Sequence, residues 1–117
     1  MKTVMSIMEY FRNKTEVFLQ NLEVSTEKNS KFRDILFTGT IQLVNMSLKP
    51  GEEIGEESHS TDQFFFFYGP GTLVTAKESK EFNSGFGLVI PANTVHNIIN
   101  TGSSDLKLFS VYGKPQH

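Results

Sequence analysis

Two histidines and the residues around them hold the chemistry-bearing groups of this sequence. The chain has three histidines, and His117 is its last residue, which leaves His59 and His96 as the pair that a fold would order. The first lies in the run P-G-E-E-I-G-E-E-S-H-S-T-D-Q-F, where Glu57 and His59 stand two apart. In an extended segment that spacing sends both side chains to one side. Gln63 follows four residues after His59 and opens a run of aromatic residues. The second histidine lies in G-F-G-L-V-I-P-A-N-T-V-H-N-I-I-N, with Gly85, Pro91, Asn93, His96 and Asn100 as its fixed points. No Ser-His-Asp or Lys constellation is visible, and the chain has no cysteine, so disulfides, thiolate metal ligands and a Cys nucleophile are excluded. Imidazole and carboxylate remain as the groups able to do chemistry.

Strands must position them. From about residue 32 onward the chain reads as short β-prone runs separated by turn signals, the pattern of a sandwich or barrel. Ile35-Leu36-Phe37 ends at Thr38-Gly39, and Ile41 to Leu48 alternates Val44, Met46 and Leu48 against Asn45 and Ser47 before Lys49-Pro50-Gly51. Gln63 to Tyr68 is a strand whose alternation places Gln63, Phe65 and Phe67 on one face and Phe64, Phe66 and Tyr68 on the other. Thr72 to Ala76 and Glu81-Phe82 pair as a hairpin across the polar residues 77–80. Leu88-Val89-Ile90, His96 to Asn100 and Leu106 to Tyr112 complete the series. Tyr112, Ser110 and Asn45 read as ordinary strand positions, and Lys107, flanked by Leu106 and Leu108, as a surface residue.

Residues 1–30 differ in character and read as an extension, with residues 31–117 forming the barrel. Val4, Met8, Phe11, Thr15, Phe18 and Leu22 recur at steps of three and four, one face of a helix. Asn13 and the β-branched residues weaken that preference, and Glu23 to Lys31 reads as a polar turn.

Composition bounds the function classes. With 117 residues the chain is long enough for one domain with a hydrophobic core and too short for two of ordinary size. Hydrophobic residues at 38% and charged residues at 21% place it among globular sequences. Eleven basic against thirteen acidic side chains, a net charge of −2, argue against a nucleic-acid partner. No apolar run approaches the roughly 20 residues of a membrane span. Glu9 and Arg12 interrupt the start where a signal peptide needs an apolar stretch, which reads as a cytoplasmic protein with no membrane partner.

The two histidine segments resemble the paired motifs of the cupin superfamily. Gly85 is followed by five residues and Pro91, then one and Asn93, two and His96, three and Asn100. In the first segment Gly51 is followed by five residues and Glu57, one and His59, three and Gln63. The string P-G-E-E-I-G-E-E-S-H with the later I-P-A-N-T-V-H-N-I-I-N-T-G looks like small single-domain cupins described as phosphomannose isomerase-like. The resemblance spans roughly residues 32 to 113. It implies an all-β, jelly-roll-like barrel of the double-stranded β-helix type, with a divalent metal held by four inward side chains.

Carried over position by position, the resemblance gives Glu57 in place of the first His of the family pattern, His59 for the second, Gln63 in place of the Glu, and His96 for the last. The usual three imidazoles and one carboxylate carry one negative charge, and here Glu57 supplies it. Glu57, His59 and His96 make a two-His, one-carboxylate set, with Gln63 as a weaker oxygen ligand, so the implied cofactor is Fe, Mn, Ni or Zn. Asn93 stands where the second motif usually has Gly, a substitution suited to a positive φ. Phe86 stands where an Asp often follows the Gly, and the polar turn contact common in the family is lost.

The function expected is a metal-binding cupin that holds a small oxygen-bearing ligand, a sugar or a carboxylate, in a pocket walled by Phe65, Phe67 and Met46. Catalysis would draw on the metal, and sugar isomerisation and dioxygenase chemistry both stay open. The alternative is a metal-free binding or interaction module. Phe64, Phe66 and Tyr68 form an outward patch too apolar for water, which points to cover by the extension or, favoured here, a homodimer.

Overall fold

Alternating burial builds the strands. In the computed structural model, which describes residues 21–113, β1 (Arg33–Thr38) and β2 (Ile41–Leu48) form an antiparallel pair, and Val44, Met46 and Leu48 of β2 point into the core. They are followed by β3 (Gln63–Phe67), β4 (Gly71–Thr75), β5 (Ser79–Phe82), β6 (Phe86–Ile90), β7 (His96–Ile99) and β8 (Leu106–Gly113). Two antiparallel sheets result, one of five strands in the order β1-β2-β8-β3-β6 and one of three in the order β5-β4-β7. This is the all-β, double-stranded β-helix architecture expected from the sequence, and β4 with β5 forms the expected hairpin.

The core lies between the sheets. Phe65, Phe67, Leu106 and Leu108 come from the larger sheet and Leu73, Phe82 and Ile98 from the smaller. Burying each large apolar side chain stabilises the fold by about 1.5–3 kcal/mol. Phe67 stacks on Phe82 with ring centroids 4.0 Å apart, and Phe82 stacks on Phe86 at 5.6 Å. Phe86 thus replaces the polar turn contact of the family pattern with an aromatic stack, and the Lys80 ammonium lies over its ring.

One segment joins the smaller sheet without becoming a strand. Residues 51–57 run antiparallel to β7 and bridge it at Glu53 with Ile99 and at Glu57 with His96. Gly51 at φ +86° and Gly55 at φ +99° break the extended run, so the ladder forms only as single bridges.

Residues 23–31, read from the sequence as a polar turn, instead begin with a helix, α1 (Leu22–Lys28). The Asn21 side chain caps it by accepting from the Val24 N–H, and Glu23 and Lys28 sit at the ends where the helix dipole favours them. Seven residues do not hold a helix alone. Docking on the outer face of β2 and β8 does: the Thr26 hydroxyl donates to Asn45 Oδ1 at 3.0 Å, and Asn45 Nδ2 donates to Ser25 Oγ at 2.9 Å. Asn45 is therefore a buried polar anchor on the outside of the barrel, facing away from its mouth. Lys107 is a tether rather than a free surface residue, its ammonium donating to Ser47 Oγ and to the Asn29 carbonyl. The helical spacing from Val4 to Phe18, and His117, lie outside the described residues. Among the described residues no helix is long and apolar enough to cross a membrane.

Candidate functional site

Three elements carry the four residues singled out by motif. Gln63 is the first residue of β3, His96 is the first of β7, and Glu57 and His59 lie on the irregular segment beside β7. That segment is pinned by side chains as well as backbone. Asn97 accepts from the Gly55 N–H at 2.9 Å and donates to Glu53 at 3.1 Å. Asn93, at φ +63°, donates its N–H to the His59 carbonyl at 2.7 Å, so the left-handed turn expected there helps to place His59. Asn100, the last fixed point of the motif, is structural: its Nδ2 donates to the Leu48 and Ser104 carbonyls and its Oδ1 accepts from Gly102.

Three of the four side chains, Glu57, His59 and His96, meet, and Gln63 lines the same cavity as Glu57 and His59. Glu57 Oε1 lies 3.4 Å from His96 Nε2 and 3.6 Å from His59 Nε2. His96 Nδ1 faces the Thr94 carbonyl at 2.8 Å, which places a proton on Nδ1 and turns Nε2 toward Glu57. Gln63 Nε2 donates to Ser110 Oγ at 2.8 Å, turning Oε1 the other way. His59 Nε2, His96 Nε2 and Gln63 Oε1 are all buried without a hydrogen-bond partner. Buried polar atoms are rarely left so, and all three belong to residues of the two motifs.

Electrostatics couple the group. Burial pushes the Glu57 carboxyl up, but the facing His96 and His59 imidazoles outweigh it, and the carboxyl sits below the usual range. Burial pushes the His96 imidazole down, but Glu57 and the Thr94 carbonyl outweigh that, and it sits above its usual value.

Beside the group opens a cavity of about 180 Å³ lined by Glu57, His59, Gln63, Ser110 and Tyr112 with Phe32, Arg33, Val44, Met46 and Ile54. Met46 lines it as expected. Phe65 and Phe67 do not: both are fully buried deeper along β3, where Phe67 stacks against Phe82 and Phe65 packs nearly perpendicular to the His96 ring. Ser110 and Tyr112, read from the sequence as ordinary strand positions, face the cavity because β8 pairs with β3 in the register Phe65 to Ser110 and Gln63 to Tyr112. Tyr112 stacks on His59 with ring centroids 4.6 Å apart, and its hydroxyl accepts from Arg33 Nη2 at 2.7 Å. Arg33, Phe32 and Ile54 went unnoticed in the sequence. The one signal available was the position of Arg33 at the start of a strand, and it does not reveal which end of a barrel is open.

Among the described residues no group of three or more His, Cys, Asp or Glu side chains forms a ready-made metal site. The donor chemistry nevertheless fits one. Two atoms each about 2.1 Å from a shared transition metal stand roughly 3.0–3.4 Å apart at tetrahedral or octahedral angles. The 3.4 and 3.6 Å separations from Glu57 Oε1 to the two imidazole nitrogens are close to that spacing, and the unpartnered Gln63 Oε1 adds a neutral oxygen.

Comparison with known proteins agrees with the architecture. Residues 44–112 match the cupin domain family. The chain is 39% identical over 109 residues to the uncharacterized protein YrkC of Bacillus subtilis, covering 86% of this chain but 59% of that relative's length. It is 36% identical to an uncharacterized protein of Acanthamoeba polyphaga mimivirus, over 90% of this chain and 70% of that one. A Bacillus halodurans protein of known crystal structure superposes with a TM-score of 0.80 at 37% identity, covering 89% of this chain and 86% of that one. A cupin domain from Bordetella pertussis, 20% identical, shares the fold with a TM-score of 0.61 over 71% of this chain and 92% of its own. With the matched family model spanning both histidine segments and the chain from β2 into β8, the chain belongs to the cupin superfamily.

Proposed function

We propose that this cupin binds one divalent transition metal through Glu57, His59, Gln63 and His96 and holds a small oxygen-bearing ligand in the adjoining cavity. The observation that carries the reading is three buried polar atoms without hydrogen-bond partners, His59 Nε2 and His96 Nε2 facing the Glu57 carboxylate and Gln63 Oε1 on a residue that lines the same cavity as Glu57 and His59. When bound, the metal would supply Lewis-acid polarisation of a ligand oxygen or activation of a bound water or dioxygen. The chain's own residues hold the geometry. Thr94 orients the His96 imidazole, Ser110 orients the Gln63 amide, and Tyr112 packs the His59 ring. Val44, Met46 and Ile54 exclude water from one wall. Sugar isomerisation and dioxygenase chemistry are both compatible with such a set.

The chain pairs with a second copy in this reading. Phe64, Phe66, Tyr68 and Phe109 form a contiguous ring cluster on the outer face of the larger sheet, beside the exposed Val89. Calorimetric titration of chelator-stripped protein with Mn²⁺, Ni²⁺ and Zn²⁺ tests the metal reading. One site per chain is expected for at least one ion, weakened at least tenfold by His96→Ala. Absence of saturable binding by all three would overturn it.

A further inference from the structure

Arg33 brings a permanent positive charge to the cavity, and no carboxylate among the described residues answers it. The ion pairs among the described residues join Lys31 to Asp34 and Glu57 to the two imidazoles, and none involves Arg33. Arg33 pairs across β1 and β2 with Met46, whose side chain faces the barrel interior, and cross-strand partners share a face. The guanidinium therefore reaches over the same cavity that Glu57, His59 and Gln63 line. One of its nitrogens donates to the Tyr112 hydroxyl. A guanidinium has five N–H donors in a planar fork, so most remain for a ligand, and the Tyr112 hydroxyl, having accepted, still has its own proton to give.

We infer that the ligand of this cavity is a small carboxylate, its carboxylate gripped by Arg33 and the Tyr112 hydroxyl and its other oxygen turned toward Glu57, His59, Gln63 and His96. Two convergent donors, one permanently charged, match a carboxylate's two oxygens. A neutral sugar would use the donors of the exposed Arg33 guanidinium but not its charge. Size agrees: a cavity of about 180 Å³ has room for an acid of a few carbons. The charge sum agrees as well, because a divalent ion, Glu57 and Arg33 together leave an excess of positive charge that an anion offsets.

This inference rests on the cavity being the ligand site, but its Arg33 arm does not require the metal, and the test separates the two. Lactate and lactamide match in size and hydroxyl and differ in charge. Calorimetric titration of metal-free and metal-loaded protein is expected to show lactate, or glycolate or pyruvate in the same panel, binding at least tenfold more tightly than lactamide. Arg33→Gln is expected to raise the Kd for the acid at least tenfold with unchanged melting temperature and metal content, and Arg33→Lys to recover only part. Failure of every acid in the panel to bind more tightly than lactamide, or an Arg33→Gln variant that binds as the parent does, would overturn the inference. Arg33-dependent binding in a protein that takes up no metal would sink the metal reading alone. Full metal loading with an Arg33→Gln variant that binds normally would sink this one alone.

Discussion

Glu57 and His96 are joined twice. Their backbones exchange both hydrogen bonds of an antiparallel bridge, at 3.0 and 2.9 Å, and the Glu57 carboxylate lies 3.4 Å from the His96 ring nitrogen. The backbone bridge sets the reach of the carboxylate, so the geometry of the site is held by the fold rather than by the flexibility of a Glu side chain. Replacing Glu57 is therefore expected to alter the chemistry of the site more than its shape.

In metal-free protein this pair gives a pH signature. Glu57, held below its usual range, contributes stability that is present above the ordinary carboxylate pKa and lost as pH falls through the lowered value. His96, raised above its usual value, contributes stability that is present below the ordinary imidazole pKa and lost as pH rises through the raised value. The pair is fully stabilising between the two ordinary values, about pH 4.3 to 6.5. Denaturant midpoints of stripped protein are expected to fall on both sides of that window, and Glu57→Gln to flatten both flanks. Parallel pH profiles for parent and variant would contradict the coupling.

The Gln63 amide is oriented by one neighbour. Ser110→Ala leaves Gln63 Nε2 buried without its acceptor, a cost of about 1–3 kcal/mol in denaturant unfolding. Metal binding should weaken with it, because nothing then fixes the orientation of the Gln63 amide. Gln63→Glu should do the opposite, since the Ser110 hydroxyl can rotate to donate to a carboxylate and the added charge favours a cation. At least a tenfold gain in metal affinity is expected from titration, and a loss would count against Gln63 as a ligand.

Asn93 tests the loop that carries His59. At φ +63° a β-branched residue is strained by about 1–2 kcal/mol, and Asn93→Val should lower stability by that amount. Asn93→Gly should be close to neutral and leave metal affinity unchanged. Equal stability of the Val and Gly variants would show that the turn relaxes freely.

The outer aromatic cluster makes a separate claim. Phe66 contacts both Tyr68 and Phe109, at ring-centroid distances of 5.0 and 6.0 Å, and Phe66→Asp places a charge at the centre of the face. Light scattering is expected to move from the mass of two chains to that of one. An unchanged mass would remove this face as the interface.

The strands, and the approach of Glu57, His59 and His96 to one another, were legible in the sequence for a physical reason. A strand with one face buried must alternate, as Val44, Met46 and Leu48 do against their neighbours, and a motif that fixes Glu57, His59 and His96 in order leaves few ways to bring them together. Helix α1 was not legible because it packs polar on polar: Thr26 and Ser25 meet Asn45, leaving no apolar period to read. The segment beside β7 hid its pairing behind Gly51 and Gly55. Phe65 and Phe67 show the limit of parity, which gives the face of a strand but not the depth along it, so residues on the cavity face were sealed in the core while Arg33 and Tyr112 took the mouth.

Elemental analysis of tag-free protein, purified without chelator or added metal, tests the metal assignment most directly when run beside a Glu57→Ala, His59→Ala double variant. Near one transition metal per chain in the parent and none in the folded variant is the expected result. A parent that carries no metal and takes up none on reconstitution, or a variant that keeps its metal, would contradict the assignment of Glu57, His59, Gln63 and His96 as the metal site.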